Sequence, residues 1–298
     1  MRATILSVIL ATGAACSAAT SLPGPIGTPS LAPTPVATDK ATVSARPYDL
    51  HVPTSYDKTK PTALVILLHG YGGTGAAYDA YFGLRALSDQ KTFFYAAPNG
   101  TLDSSGKRFW NATNYCCAFG ADVDDVAYVN AIIDDVASRY ALDRKRVFLV
   151  GHSNGGFMAH RFACDMAGRV AAIASLAGAQ WSDQSKCSPS EKVSVVQIHG
   201  EADGTIKYAG DTRYPSAHET VADWAVKNGC TGALSATGAT LDLDTGVVGA
   251  ETTVERYSGC TGSAVELWTI RAGAHTPALA KPGVPEAVWA FLSAHPKP

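Results

Sequence analysis

The sequence predicts a single α/β domain in which helices cover both faces of a mostly parallel sheet. Short apolar runs alternate with longer segments of helical periodicity, an order that typically builds parallel strands joined by helices. The run Ala63–Leu68 is apolar at every position, as expected for a strand buried on both faces. Because the alternation continues over most of the 298 residues, we expect one domain over residues 45–298 rather than two.

Each element follows from a local pattern. The predicted strands are short runs rich in apolar residues: Ala63–Leu68, Phe93–Ala97, Arg146–Gly151, Ala171–Leu176, Ser194–His199 and Glu266–Arg271. The predicted helices lie between or after them: Ala76–Asp89, Val123–Tyr140, Gly156–Ala167, Ala217–Asn228 and Glu286–Ala294. The segment Cys230–Gly262 interrupts this alternation because it is rich in Thr, Gly, Ser and Asp, and within it we expect only Glu251–Tyr257 to form a strand.

The first residues are typical of an exported protein. Arg2 precedes the apolar run Ile5–Ala11 and a stretch of small residues, which predicts a signal peptide over residues 1–19. Five prolines follow among Gly, Ser, Thr and Ala, so residues 20–44 are expected to be an extended linker. Lipid attachment at Cys16 is an alternative, but Gly13 stands where lipoprotein signals usually carry Leu. We therefore expect a secreted protein.

Six cysteines remain after the predicted signal peptide, and an even number in an exported protein favours disulfide bonds. Cys230 and Cys260 bracket the irregular segment, so a bond between them would tie that segment to the domain. The other four are expected to pair across the sequence, in an order that the sequence leaves open: Cys116 and Cys117 with Cys164 and Cys187. No His and Cys residues have the spacing of a zinc site, so neither a metal nor an organic cofactor is expected.

Charge and hydropathy exclude two kinds of partner. The formal net charge is -2 and no cluster of Lys and Arg is present, which excludes an electrostatic nucleic-acid binder. The apolar run near the start is shorter than the roughly 20 residues that a membrane-spanning helix needs, and no later run replaces it. We expect a monomer with neither a nucleic-acid partner nor a membrane span.

A serine motif points to nucleophilic catalysis. The predicted strand Arg146–Gly151 leads into Gly-His-Ser-Asn-Gly-Gly over residues 151–156 and then into a predicted helix. A G-x-S-x-G sequence between a strand and a helix is typical of a nucleophile elbow, in which glycines permit the sharp turn that exposes the serine. Ser153 is therefore the candidate nucleophile.

A serine nucleophile needs a histidine base, and the histidine needs a carboxylate that orients it. The predicted strand Ser194–His199 leads into a loop with Asp203, and the predicted strand Glu266–Arg271 leads into a loop with His275. This chain order of Ser, Asp and His is typical of α/β-hydrolases. Asp203 is the candidate acid, with Glu201 in the same loop as its rival, and His275 is the candidate base.

Two backbone N–H groups are needed to stabilise the oxyanion that forms at the attacked carbonyl. One is expected from Asn154, directly after the nucleophile, and the other from the loop that follows the first long strand. In that loop Tyr71 is the preferred donor and Gly72 the alternative. The neighbouring glycines would let the loop approach the substrate closely.

Several motifs together resemble one family, the secreted esterases classed with poly(3-hydroxybutyrate) depolymerases and feruloyl esterases. The matching stretches are His-Gly-Tyr-Gly-Gly at 69–73, Trp110 with Cys-Cys at 116–117, Val-Asp-Asp-Val at 123–126, the serine motif, Arg-Phe-Ala-Cys at 161–164 and His-Gly-Glu-Ala-Asp-Gly at 199–204. The resemblance implies an α/β-hydrolase fold, a triad of Ser153, Asp203 and His275, and hydrolysis of feruloyl or acetyl esters of plant xylan or of short polyester units. A Trp-Pro pair that commonly follows the family's histidine is absent, since Thr276-Pro277 stands there.

The sequence therefore predicts a secreted serine carboxylesterase. Three aromatic residues are candidates for the substrate pocket: Trp110, Tyr115 and Trp181. Three alternatives remain open at this point. An acyltransferase would use the same triad with an alcohol in place of water. A peptidase would need a site for the amine side of the chain, for which the sequence offers no separate domain, and a non-catalytic cell-wall-binding protein would fit the proline-rich linker.

Overall fold

The computed structural model describes residues 40–117 and 123–298, and the predicted signal peptide and the predicted linker up to residue 39 lie outside the described residues. The helices are α1 (Lys40–Ala45), α2 (Gly75–Phe82), α3 (Leu84–Lys91), α4 (Asp125–Arg139), α5 (Asn154–Asp165), α6 (Ala217–Lys227) and α7 (Gly283–Ala294). The strands are β1 (Leu50–His51), β2 (Thr62–Leu68), β3 (Phe93–Ala96), β4 (Thr101–Leu102), β5 (Arg108–Phe109), β6 (Leu142–His152), β7 (Ala172–Leu176), β8 (Ser194–Gly200), β9 (Leu234–Leu241), β10 (Thr252–Tyr257) and β11 (Val265–Ile270).

Nine strands form one sheet in the order β1-β3-β2-β6-β7-β8-β11-β10-β9. The strands from β3 to β11 in this order are parallel to one another, whereas β1, β10 and β9 are added antiparallel. Parallel strands end at the same edge of a sheet, so the loops after β2, β6, β8 and β11 gather at that edge. These loops carry the candidate oxyanion donor, nucleophile, acid and base.

The sheet separates two apolar cores. Along β2, Leu64, Ile66 and Leu68 face one core, while the alternate residues face the other, as the two-residue period of a strand requires. Helices α4, α5 and α6 cover the first core, and α2, α3 and α7 cover the second. Helices therefore lie on both faces, which confirms the predicted fold class.

Three predicted segments differ in the structure. The single helix expected over Ala76–Asp89 is two helices, because Gly83 between α2 and α3 adopts a left-handed φ of 73° that other residues avoid. The segment Cys230–Gly262 contains β9 in addition to the expected strand, and most residues of β9 are exposed on both faces, so it lacks an apolar pattern. Helix α1 also shows that the last residues of the predicted linker are helical.

The disulfides agree in part with the prediction. Cys230 and Cys260 are bonded, as expected. Cys116 and Cys117 are bonded to each other and not to Cys164 and Cys187, which form the third bond, so the expected pairing of these four residues is wrong. For these four cysteines the sequence alone does not decide which thiols meet once the chain has folded.

In the described part of the chain, every helix is too short or too polar to span a bilayer.

Candidate active site

The turn between β6 and α5 raises Ser153 above the end of the sheet. Its backbone has φ 53° and ψ -122°, an unusual conformation that is typical of a strained nucleophile elbow. A Cβ atom on Gly151 would lie 2.1 Å from the carbonyl oxygen of Gly155, and one on Gly155 would lie 2.0 Å from that of Leu68. Both glycines are therefore required by close backbone contact, as the motif predicts.

The structure brings the three predicted residues together from three separate loops. Nε2 of His275 lies 3.0 Å from Oγ of Ser153, and Nδ1 of the same ring lies 2.8 Å from Oδ2 of Asp203. Ser153 and Asp203 are buried, and the His275 side chain is 19% exposed. In this geometry the hydroxyl can donate to Nε2 while Nδ1–H donates to the carboxylate.

Asp203 is held as an ionised acceptor. Burial alone would raise the pKa of this carboxyl, but hydrogen bonds from His199, His275 and the N–H of Thr205 outweigh burial and hold the pKa well below its usual range. Oδ1 also accepts from the N–H of Ile206 at 2.9 Å. The rival Glu201 lies in the same loop but is exposed, and its carboxylate accepts from the N–H of Ala272 at a long 3.4 Å.

His152, directly before the nucleophile, holds the loop of the candidate base. Its Nε2 donates to the carbonyl oxygen of His275 at 2.7 Å, and its Nδ1 accepts from the hydroxyl of Tyr78 at 3.0 Å. Burial lowers the pKa of His152 to about 4, so the ring is neutral at pH 7. The neutral tautomer with its proton on Nε2 is consistent with both bonds. The two bonds give His152 a structural role, because they tie the nucleophile elbow to the loop of the candidate base.

The loop after β2 is fixed by His69. Its Nδ1 donates to the carbonyl oxygen of Gly70 at 2.8 Å, and its Nε2 accepts from the N–H of Gly100 at 2.9 Å. The N–H of Gly72 donates to the carbonyl oxygen of Arg108 at 2.7 Å. Because that N–H is already engaged, Gly72 is unsuitable as the second oxyanion donor. The assignment of this donor to Tyr71 stays a prediction.

The side chain of Asn154 joins the elbow to the segment that follows β5. Its Oδ1 accepts from the N–H of Trp110 at 2.7 Å and its Nδ2 donates to the carbonyl oxygen of Trp110 at 2.8 Å. The Trp110 ring is fully buried, and its Nε1 donates to the carbonyl oxygen of His69. The prediction that Trp110 lines the substrate pocket is therefore wrong, because a fully buried ring that supports two loops offers no surface to a substrate.

The other predicted pocket residues lie at partly exposed positions. The Tyr115 ring is 4.6 Å from that of Tyr214 and carries the guanidinium of Arg213 at 4.5 Å from its centroid. The Trp181 ring is half-buried, with Nζ of Lys186 5.0 Å from its centroid. Within the described residues, neither side chain forms a hydrogen bond with Ser153, so the contribution of Tyr115 and Trp181 to the substrate pocket stays a prediction.

Comparison with known proteins assigns the chain to a family. Residues 53–230, which include Ser153 and Asp203, match a family described as phospholipase/carboxylesterase. The chain belongs to this family. As a member of the phospholipase/carboxylesterase family, it is an ester-hydrolysing enzyme of the α/β-hydrolase superfamily, which confirms the resemblance found from the sequence motifs.

Named relatives within this superfamily include feruloyl esterases. The chain is 27% identical to feruloyl esterase D of Neurospora crassa, over 84% of this chain and 82% of that protein. It is 25% identical to feruloyl esterase B of Piromyces equi, over 80% of this chain and 43% of that protein. Among solved structures, an acetyl xylan esterase from Aspergillus awamori superposes with a TM-score of 0.58 at 17% identity, covering 82% of this chain and 92% of that one, a likeness that supports the fold.

Two supporting contacts were not predicted from the sequence. His199 contacts Asp203, and Asp244 accepts the N–H of Ala278 in the loop that follows His275. The position of His199 four residues before the acid is a signal that could have been used, because His199 lies at the end of β8 and Asp203 lies in the loop that follows. Asp244 lies in the irregular segment, where nothing in the local pattern indicates contact with the catalytic loop.

Proposed function

We propose that the protein is a secreted serine carboxylesterase that uses Ser153 as nucleophile, His275 as general base and Asp203 as the residue that orients the base. The hydrogen-bonded order of these three side chains is the observation that carries the proposal. The three residues come from distant parts of the chain, and each follows a strand of the same sheet edge. A chance cluster of surface residues would not combine this order with the strained backbone of the elbow.

The geometry supports a two-step mechanism. Ser153 Oγ attacks the ester carbonyl while Nε2 of His275 takes its proton, and the imidazolium so formed returns the proton to the leaving alcohol. Water, activated by the same nitrogen, then releases the acid from the acyl-enzyme. Asp203 keeps Nδ1 protonated throughout, and the backbone N–H groups of Tyr71 and Asn154 stabilise the oxyanion in both steps.

We further propose that the substrates are feruloyl or acetyl esters of plant polysaccharides such as xylan, with short polyester units of the polyhydroxybutyrate type as a related class. The support comes from relatives named as feruloyl esterases and from a structural neighbour named as an acetyl xylan esterase. The low content of charged residues, 17%, is also suited to an uncharged ester. Secretion is supported by the signal-like start and by disulfides.

Labelling with a fluorophosphonate probe tests the mechanism. We expect wild-type protein to form a stable adduct on the tryptic peptide that contains Ser153 and to lose esterase activity in proportion. The variant Ser153→Ala should remain folded and unlabelled. An unlabelled wild-type protein would contradict the proposal and favour a non-catalytic protein, and an adduct on another serine would contradict the assignment of Ser153 as the nucleophile.

A substrate panel tests the specificity. Methyl ferulate, acetylated xylan, short p-nitrophenyl esters and hydroxybutyrate oligomers should be compared by kcat/KM, with an alcohol added to detect acyl transfer. We expect the highest value on a feruloyl or acetyl ester and the free acid as main product. A preference for hydroxybutyrate oligomers would make short polyesters the main substrate class, and ester products would replace hydrolysis by acyl transfer.

The predicted signal peptide has a test of its own. Sequencing of the mature N-terminus should find cleavage near Ala19.

A further inference from the structure

A row of buried polar side chains leads from helix α6 to the candidate acid. Its members are Trp224 on α6, His160 on α5, and Gln197 and His199 on β8, followed by Asp203. All five side chains are buried. Buried polar groups require hydrogen-bond partners, and each group here is within bonding distance of the next.

The first half of this row has a fixed direction. An indole N–H can only donate, so Nε1 of Trp224 donates to Nδ1 of His160 at 3.0 Å. Burial lowers the pKa of His160 to about 4, so its ring is neutral at pH 7, and the proton must then lie on Nε2. That N–H donates to Oε1 of Gln197 at 2.9 Å. The amide oxygen of Gln197 is therefore fixed toward His160.

The second half continues in the same direction. With its oxygen engaged, the amide nitrogen of Gln197 donates to the carbonyl oxygen of Gly178 at 2.8 Å and to Nδ1 of His199 at 3.1 Å. Nδ1 of His199 is then an acceptor, so Nε2 carries the proton. This N–H donates to the carbonyl oxygen of Ile206 at 2.7 Å, and Oδ2 of Asp203 lies 3.3 Å from the same nitrogen, close enough to share the proton.

We propose that His199 is a positioning residue for Asp203, kept as an Nε2–H donor by the row Trp224–His160–Gln197. Oδ2 of Asp203 then accepts from His199 and from His275 at the same time. The donor from His199 fixes the carboxylate plane and limits its basicity, and this keeps Oδ2 aimed at Nδ1 of His275. The proposal rests on the proposed triad, because it assigns a role only if Asp203 orients the base.

A merely structural role for His199 would predict a different result. If the row only satisfied buried polar groups, its loss would lower stability and leave turnover by each folded active site unchanged. If His199 positions Asp203, its loss should lower kcat with little change in KM. The acidic limb of kcat/KM should also move to higher pH, because a carboxylate with one donor fewer is more basic and stabilises a protonated imidazole better.

The kinetic test compares four variants of the full chain on a p-nitrophenyl ester, with active sites counted by exhaustive fluorophosphonate labelling. For His199→Phe we expect kcat to fall roughly 10- to 100-fold, the size of a small misplacement of a catalytic group. His199→Gln keeps an N–H donor and should recover part of the loss. Gln197→Met leaves His199 in place without its donor and should show a smaller loss. His51→Phe, which removes a distant His–Asp contact at 3.1 Å, should match wild type.

NMR of the wild-type protein gives a second, independent readout. Long-range ¹H–¹⁵N correlations of the imidazole rings should show the Nε2–H tautomer for both His160 and His199 at pH 7. A proton on Nδ1 of His199 would overturn the proposal whatever the kinetics show, because Nε2 would then be unable to donate to Asp203.

The outcomes separate this inference from the proposed function. If wild-type Ser153 is not labelled, the proposed function itself fails. If it is labelled and His199→Phe has wild-type kcat and pH profile, only the positioning role fails. If His199→Phe does not fold, Gln197→Met decides, and unchanged kcat and pH profile in that variant would overturn the proposal.

Discussion

The parallel part of the sheet comprises β3, β2, β6, β7, β8 and β11, and its antiparallel extension comprises β10 and β9. The two regions differ in burial and in their contribution to the candidate site. Strands β2, β7 and β8 of the parallel part are buried at every residue, whereas β9 at the far edge of the extension has no buried residue. Ser153, Asp203 and His275 all follow strands of the parallel part. The extension carries none of the three, although it belongs to the same sheet.

The extension instead supports the loop that carries the base. Oδ1 of Asp244, in the connection between β9 and β10, accepts the N–H of Ala278 at 2.9 Å, and the N–H of Thr245 donates to the carbonyl oxygen of Ala278 at 2.8 Å. The N–H of Ala280 donates to the carbonyl oxygen of Leu243. The parallel part therefore carries the candidate catalytic residues, and the extension holds the loop of one of them, His275, in place.

The largest expected effect is on the parallel part. In Asp203→Asn the amide can present a donor to His275 and favour the wrong tautomer, so we expect kcat/KM to fall by about 10⁴-fold. The matched control is Glu201→Gln, which changes the exposed rival acid in the same loop and should leave kcat/KM near wild type. Steady-state kinetics on a p-nitrophenyl ester measures both. A large loss in Glu201→Gln with little loss in Asp203→Asn would reverse the assignment of the acid.

The next effect concerns stability of the extension. Cys230 and Cys260 close a loop with a sequence separation of 30 residues. Replacing both by Ser should lower the free energy of unfolding by about 3 to 4 kcal/mol through the entropy of the unfolded chain. Urea unfolding measures this change. Activity at low temperature should stay close to wild type because the triad lies elsewhere, and a loss of activity without a loss of stability would break the division of tasks.

Acid should destabilise the protein through three histidines that are buried in the folded state. Burial lowers the pKa of His69, His152 and His160 to about 4 from an ordinary value of 6.5. A histidine with a lowered folded pKa stabilises the protein fully above the unfolded value, and this contribution is lost as the pH falls from about 6.5 toward 4.

The free energy of unfolding should therefore decrease as the pH is lowered through this range, by up to about 1.4 kcal/mol per pH unit for each such histidine. In His69→Asn we expect a flatter dependence by that amount. In His218→Asn, which changes an exposed histidine, the slope should be unchanged. An equal slope in wild type and His69→Asn would mean that His69 is not kept neutral by burial.

The smallest expected effect links the two regions. Asp244→Ala removes the acceptor for the N–H of Ala278, and the loss of one such bond should lower kcat roughly two- to tenfold through a less ordered His275 loop, with KM little changed. Asp244→Asn retains an acceptor oxygen and should recover most of the rate. Asp242→Ala, at an exposed position two residues earlier, is the control. Unchanged kcat in Asp244→Ala would show that the extension does not support catalysis.

The elements that could be predicted are those whose conformation is determined by residues close together in the sequence. Strand β2 is apolar throughout, and the glycines around Ser153 report a turn that only they can make. Strand β9 could not be predicted because its exposed residues need no apolar pattern. The break at Gly83 was missed because a single glycine inside a helical pattern is compatible with one helix or with two.

The sequence by itself determined the alternating α/β order, the family, the elbow at Ser153 and the candidates Asp203 and His275, because each depends on a local pattern and on order along the chain. Only the tertiary structure decided that these side chains meet, that Cys116 bonds to Cys117, that Trp110 is buried, and that His199 and Asp244 support the site. Most of these contacts join residues that are distant in sequence, and all of them depend on how the helices and strands pack together. A local sequence pattern does not determine that packing.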